Sequence, residues 1–206
     1  MRLPFTPTDG LCRRCGRAAV GLDGEFLCDD CRTHRPAFDR AASVFRFENE
    51  ARELVNAFKF RDGIHLRADF ADFLEGLARV RFRLGDVACV VPMPTTVPHR
   101  WLRGYNQSDM LARALAKRLR LPCRALLRRT GNPRRQGTLC EEDRRTNVIG
   151  TFAVSARPRI RAGCTLLVVD DIMTTGSTLS EAAKTLKSAG AGTVWTITLA
   201  RSLRDS

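Results

Sequence analysis

At 206 residues the chain has room for one ordinary domain with an appendage or for two small ones, and 44% apolar residues exclude wholesale disorder. No run of about 18 uncharged apolar residues occurs, which argues against membrane insertion. The opening Met1-Arg2-Leu3-Pro4-Phe5-Thr6-Pro7 lacks the apolar core of a signal peptide, so a cytoplasmic location is expected. The formal charge of +13, carried mostly by Arg, fits either an Arg-rich soluble surface or a polyanionic partner, nucleic acid or a phosphorylated small molecule. Basic residues crowd at 100–103 and 128–145, which favours the polyanion.

Residues 1–36 hold two Cys-x-x-Cys pairs and read as a small module of their own; Pro36 lies near the joint, and residues 37–206 form the second domain. Weak alternation over 41–47 suits a strand. Leu54, Val55 and Phe58 fall at helical spacing within 50–60, and Gly63 breaks that pattern. A second amphipathic helix fits 65–80. The apolar run 87–91, closed by Pro92 and Pro94, reads as a buried strand. Met110, Leu111, Leu115 and Leu119 share one face of a helix over 106–119. Residues 125–127 and 151–154 are short strand candidates. The polar stretch 128–150 between them is long enough to be functional or mobile. A buried strand over 165–169, a helix over 178–189 ended by Gly190, and a strand over 194–199 complete the chain. Strand and helix alternate, so the expected class is α/β, a parallel sheet flanked by helices.

Four of the eight cysteines, Cys12, Cys15, Cys28 and Cys31, form two Cys-x-x-Cys turns separated by residues 16–27. Each turn sets two sulfurs on one side, and two turns complete a closed tetrahedral site, so structural Zn2+ is expected. Disulfides are disfavoured in a cytoplasmic protein, and a redox Cys-x-x-Cys would open a helix beside a strand. Cys89, Cys123 and Cys164 read as small buried apolar residues; Cys140 sits in the polar stretch.

The strand over 165–169 leads into Asp170-Asp171 and then into Thr174-Thr175-Gly176-Ser177-Thr178 before a helix. In open α/β sheets, ligands bind at strand C-termini. Backbone N–H groups in such a turn form an anion nest, the helix start adds its partial positive charge, and the hydroxyls add donors. A phosphate monoester fits that cradle. The two carboxylates accept from sugar hydroxyls, hold Mg2+ through water and offset positive charge developing at a sugar carbon. Together these features describe a ribose-5-phosphate site. The plain alternative, a capped helix after a strand, needs one hydroxyl and no carboxylate pair. The Gly-x4-Gly-Lys-Ser/Thr and Gly-x-Gly-x-x-Gly patterns are absent, which disfavours nucleoside triphosphates and dinucleotides.

Residues 168–178 resemble the ribose-phosphate signature of type I phosphoribosyltransferases. Further features narrow the match: the two cysteine turns; Arg103-Gly104-Tyr105-Asn106-Gln107-Ser108; Lys59-Phe60; and Gln136, Arg144 or Arg145, and Asn147 before Gly150-Thr151-Phe152. With these, nearly the whole chain resembles the ComF/GntX family, with Tyr105 where that family often has Phe. The resemblance implies a type I phosphoribosyltransferase fold with an N-terminal zinc module, and 5-phosphoribosyl-1-pyrophosphate with Mg2+ as ligand. It implies that Val91-Pro92-Met93-Pro94 is the pyrophosphate loop, with Met93, Arg103, Gly104 and Asn106 on the pyrophosphate side. The stretch 128–150 would close over the ligand, bringing Arg144 and Arg145 to the same side, and Lys59 would join them. A solvated surface for Arg103 and Arg144, and a helix-end role for Lys59, stand as alternatives.

Three functions follow from these features. The first, implied by the resemblance, is an accessory factor in DNA uptake and natural transformation, contacting single-stranded DNA beside a DNA-uptake helicase partner. The second is a Mg-dependent transferase with Asp170 and Asp171 as catalytic pair; no residue cluster names its nitrogen acceptor. The third is a ligand-sensing regulatory module signalling through the cysteine turns.

Overall fold

The computed structural model describes residues 3–7, 9–19, 21, 24–60, 63–95, 105–130, 148–156 and 159–202. In chain order its elements are β1 (Leu11–Cys12), β2 (Glu25–Phe26), α1 (Asp29–His34), β3 (Arg40–Arg46), α2 (Asn49–Phe60), α3 (Arg67–Arg81), β4 (Val87–Pro92), α4 (Gln107–Leu119), β5 (Leu127–Arg129), β6 (Phe152–Val154), β7 (Thr165–Met173), α5 (Ser177–Ser188) and β8 (Thr193–Arg201). Short 3-10 turns at Gly63–Leu66 and Leu84–Asp86 precede α3 and β4.

The four long apolar runs become one parallel sheet in the order β3-β8-β7-β4. Along β7, Leu166 and Val168 face one core, while Leu167 and Val169 face the other. Burial on both faces explains why the run is continuously apolar rather than alternating. One core holds α2, α3 and α4 through Val55, Phe58, Phe70, Leu74, Leu111 and Leu115. The other holds α5 and the four N-terminal cysteines.

The connections define where a ligand can sit. From β4 the chain passes through α4 and returns outside β4, where the Val90 N–H donates to the Pro122 carbonyl at 2.9 Å and the Arg124 N–H to that of Val90 at 2.9 Å. From β7 it passes through α5, on the opposite face, to β8. Adjacent strands whose connections leave in opposite directions open a crevice at their C-terminal ends.

Periodicity misplaces three boundaries. β7 runs on through the aspartates to Met173 because its ladder with β8 continues, Asp170 opposite Thr198 and Met173 opposite Arg201. The expected strand over 125–127 falls instead at Leu127–Arg129, pairing antiparallel with β6, since residues 122–124 are held by β4. The helix expected from residue 65 starts at Arg67, after the 3-10 turn.

The cysteine turns lie against the sheet. The Ala41 N–H donates to the Arg14 carbonyl at 2.6 Å, and the Arg14 guanidinium donates to the Pro36 carbonyl at 2.8 Å. Gly16, at φ 69°, allows this seating: a Cβ there would lie 2.7 Å from the Ala41 carbonyl oxygen.

Candidate functional site

At the mouth of the β4–β7 crevice, a pocket of about 150 Å³ is lined by Met93, Asn106, Ser108, Arg129, Asp170, Asp171 and Thr178, with neighbours. The Asn106 side chain caps α4, accepting from the Ser108 N–H at 3.1 Å, and its amide donates to the Met93 carbonyl at 3.0 Å. This cap ties the start of α4 to the end of β4. The Ser108 hydroxyl then donates to Asp170 Oδ1 at 2.7 Å, and the Asp171 N–H donates to the same oxygen at 2.9 Å.

The carboxylates are treated differently. Burial first, and the Asp171 charge second, push Asp170 up to about 7, against the pull of Ser108, the Asp171 amide and Lys59. Asp170 therefore exchanges a proton near neutral pH. Asp171 has its own cation: Lys59 Nζ lies 3.0 Å from Oδ2, with both side chains under one-fifth exposed. Lys59 stands at the end of α2, whose position is fixed by Tyr105 donating to the Phe58 carbonyl at 3.2 Å and Gln107 to the Lys59 carbonyl at 3.3 Å. A second cation, Arg129, lies over the Phe152 ring at 5.4 Å. Burial lowers its pKa, partly offset by the Asp170 charge, and its Nε is buried with no partner.

Beyond the aspartates the chain turns at Gly176, φ 81°, where a Cβ would meet Met173 Cε at 2.7 Å and the Phe38 ring at 3.5 Å. No side chain caps α5 at that residue. Thr175 and Ser177 share a hydroxyl hydrogen bond of 2.8 Å, and Thr175 Oγ1 accepts from the Ser177 N–H at 3.3 Å. The turn offers hydroxyls and the helix start beside the carboxylates, a setting suited to an anion.

On the other core, the Cys12, Cys15, Cys28 and Cys31 sulfurs all lie within 4.8 Å of one another, and all four residues are buried. The Cys28 N–H points at Cys12 Sγ at 3.5 Å, as amides do toward thiolates that hold a metal. Without a cation the set shares protons unevenly: hydrogen bonds from Cys15 and Cys31 pull Cys12 down, those to Cys12 and Cys15 push Cys31 up, and burial raises Cys28 to about 11. Arg201 is buried at 3% exposure with no carboxylate partner among the described residues; it donates to the Cys15 carbonyl, and its Nε has no partner. A metal held by four thiolates carries net negative charge, and a buried guanidinium alongside it is the complement such a site needs. The residues fit a tetrahedral metal ion.

The structure thus places Met93, Asn106, Asp170, Asp171 and Thr178 around one pocket, with Lys59 ion-paired to Asp171 and with Thr174, Thr175, Gly176 and Ser177 on the adjoining turn. Met93 presents its main chain, since its side chain is buried in the core. Arg103, Gly104, Arg144 and Arg145, with Gln136, Cys140 and Asn147, lie outside the described residues. Ser108 and Arg129 are among the pocket residues that escape the sequence reading as site residues. Ser108 stands in the quoted run but shows its role only when α4 packs beside β7, and Arg129 is one basic residue among many until β5 carries it to Asp170.

A parallel sheet with a carboxylate pair and a hydroxyl-rich turn at its switch point, plus a four-cysteine module, defines a type I phosphoribosyltransferase fold with an appended metal-type module. The phosphoribosyl transferase domain family matches residues 107–205. Among curated proteins, the DNA utilization protein YhgH of Salmonella typhimurium is 30% identical over 197 residues, 94% of this chain and 85% of that protein. Competence protein F of Haemophilus influenzae is 28% identical over 178 residues, covering 84% and 78% of the two chains. Competence protein ComFC of Bacillus subtilis is 27% identical over 203 residues, covering 95% and 79%. The chain belongs to the ComF family of competence and DNA-utilization proteins. No helix among the described residues is long and apolar enough to cross a membrane.

Proposed function

We propose that this protein binds 5-phosphoribosyl-1-pyrophosphate in the β4–β7 crevice and serves as a cytoplasmic accessory factor in DNA uptake and natural transformation, in contact with single-stranded DNA and a DNA-uptake helicase. The observation that carries the ligand assignment is the Asp170–Asp171 pair, held by Ser108 and Lys59, directly before the Thr174–Thr178 turn. The sugar phosphate would sit on the turn, taking the amides and hydroxyls of Thr175, Ser177 and Thr178. The ribose hydroxyls would donate to the carboxylates, and the pyrophosphate would extend toward the Met93 main chain and Arg129, whose unpartnered Nε awaits an acceptor. Mg2+, when bound with the ligand, neutralises pyrophosphate charge; Asp170 and Asp171 are the groups that would hold it through water. Zinc in the four-cysteine site is structural. The uptake role is supported by the names of the curated relatives.

Calorimetric titration of the sugar diphosphate with Mg2+ tests this reading. Asp170→Asn with Asp171→Asn should weaken binding by at least about tenfold, the loss of charge-assisted contacts. Unchanged affinity would refute the site.

A transferase reading is favoured by one feature: burial and the Asp171 charge push Asp170 up to about 7, which suits an acceptor for the proton leaving an attacking nitrogen. In that reaction the bond from C1 to pyrophosphate breaks, a C1–N bond forms, and the nitrogen's proton passes to Asp170. Pyrophosphate release across a panel of nitrogen acceptors tests it; silence throughout would leave a binding protein.

A further inference from the structure

A trough of about 590 Å³ runs across the cysteine module and the start of β3, away from the carboxylate pocket. Arg13, Arg14, Arg32, Arg35 and Arg40 line it. The single acid in its wall, Asp39, is already committed, accepting from Lys187 at 2.8 Å and from the Val194 N–H at 2.8 Å. Arg13 and Arg35 are exposed and have no ion pair among the described residues. Arg32 faces Asp29 at 3.6 Å with both side chains largely in solvent, a pairing that contributes little. Arg40 shares Glu25 with Arg81. The trough therefore presents three exposed guanidinia, those of Arg13, Arg32 and Arg35, that carboxylates of the described residues compensate little, while Arg14 is held by the Pro36 carbonyl and Arg40 by Glu25.

We infer that this trough is the surface on which single-stranded DNA lies, as a track for the phosphodiester backbone distinct from the sugar-phosphate pocket. The inference rests on the proposed DNA contact and names where that contact is made. A single small anion would engage one or two guanidinia; three exposed ones, spread over the first cysteine turn, α1 and its C-terminal cap and flanked by Arg14 and Arg40, match a repeating anion. Planar donors suit phosphate oxygens. No aromatic side chain lines the trough among the described residues. Binding there is consequently driven by backbone charge, not base stacking, and should be insensitive to sequence and steeply sensitive to salt.

Arg35 supplies a clean handle. It ends α1 in the left-handed region at φ 42°, a conformation glycine adopts without strain. Arg35→Gly removes charge while relaxing the backbone, so lost binding cannot be laid to a damaged fold. Arg13→Gln and Arg32→Gln change exposed side chains only. The experiment is anisotropy of a labelled oligothymidylate with the full chain at several salt concentrations. The triple variant should bind at least about tenfold more weakly at low salt, with a log–log salt slope shallower by about 2. Lysine at Arg13 and Arg32 should restore most of that affinity, and 5-phosphoribosyl-1-pyrophosphate binding should be unchanged. Asp170→Asn with Asp171→Asn should do the reverse, losing the sugar diphosphate and keeping the strand. A triple variant with unchanged affinity and slope overturns the surface alone. No strand binding by the unaltered protein at low salt overturns the DNA contact as well, and a tenfold preference for an oligouridylate overturns the assignment to DNA.

Discussion

The cysteine module and the carboxylate crevice lie on one sheet but are specified in opposite ways. All four sulfurs of the module come from residues 12–31, and their convergence follows from two local turns. The crevice draws Lys59 from α2, Met93 from β4, Ser108 from α4, Arg129 from β5 and the aspartates from β7. Local sites can be read from spacing, whereas assembled sites reveal only their longest contiguous piece. The two also handle charge differently. The module gathers thiols that need one cation, with Arg201 as its only buried positive neighbour described. The crevice sets two acids beside Lys59 and Arg129; Lys59 is already paired with Asp171, whereas Arg129 Nε has no partner.

The largest effect should come from the four-cysteine site. Chelation, or Cys28→Ser, should cost at least about 4 kcal/mol of apparent stability, because a closed thiolate site supplies the folding energy of a module too small for its own core. Hydrogen exchange should show loss of protection over residues 11–34 first; uniform loss across the sheet would mean that the two regions are one cooperative unit.

The crevice should respond to pH instead. Asp170 is held at about 7 in the folded chain against an ordinary value of 3.8, so between those values the folded state keeps a proton that the unfolded state has released. That contribution to stability is complete below about pH 4 and lost as pH rises through 7. Asp170→Asn, whose Oδ1 can still accept from Ser108 and the Asp171 amide, should be more stable than the parent by about 4 kcal/mol at pH 8. The gap should close toward pH 4 in urea titrations. A gap independent of pH would show that Asp170 ionises normally.

Arg201 joins the two regions, since it pairs with Met173 across β7–β8 and donates to the Cys15 carbonyl. Arg201→Met should cost about 2 kcal/mol, the loss of a buried charged hydrogen bond, and should speed zinc release to a chelating dye. Unaltered zinc release would make its role purely that of sheet packing. Smallest is Gly176→Ala, expected to cost about 1 kcal/mol through its left-handed φ while Met173 Cε moves aside. It should weaken sugar-phosphate binding more than it lowers the melting temperature.

The features legible in the residues alone are those whose physics is local. Two Cys-x-x-Cys turns specify a four-sulfur site, the run of apolar residues into Asp170-Asp171 specifies a buried strand ending in acids, and the alternation of elements specifies a parallel sheet. Features that depend on distant chain segments meeting emerge with the packed fold. Spacing along one segment offered no Lys near the aspartates, yet Lys59 stands 3.0 Å from Asp171 because α2 and α4 pack on the same face of β7. Periodicity ended β7 at Val169, since acids do not look like a strand; the ladder to β8 carries them in register regardless. Hydrogen bonds and ion pairs across a sheet depend on register and crossover direction, and those are settled by burying both faces of the strands at once, a global condition that no short window of residues contains.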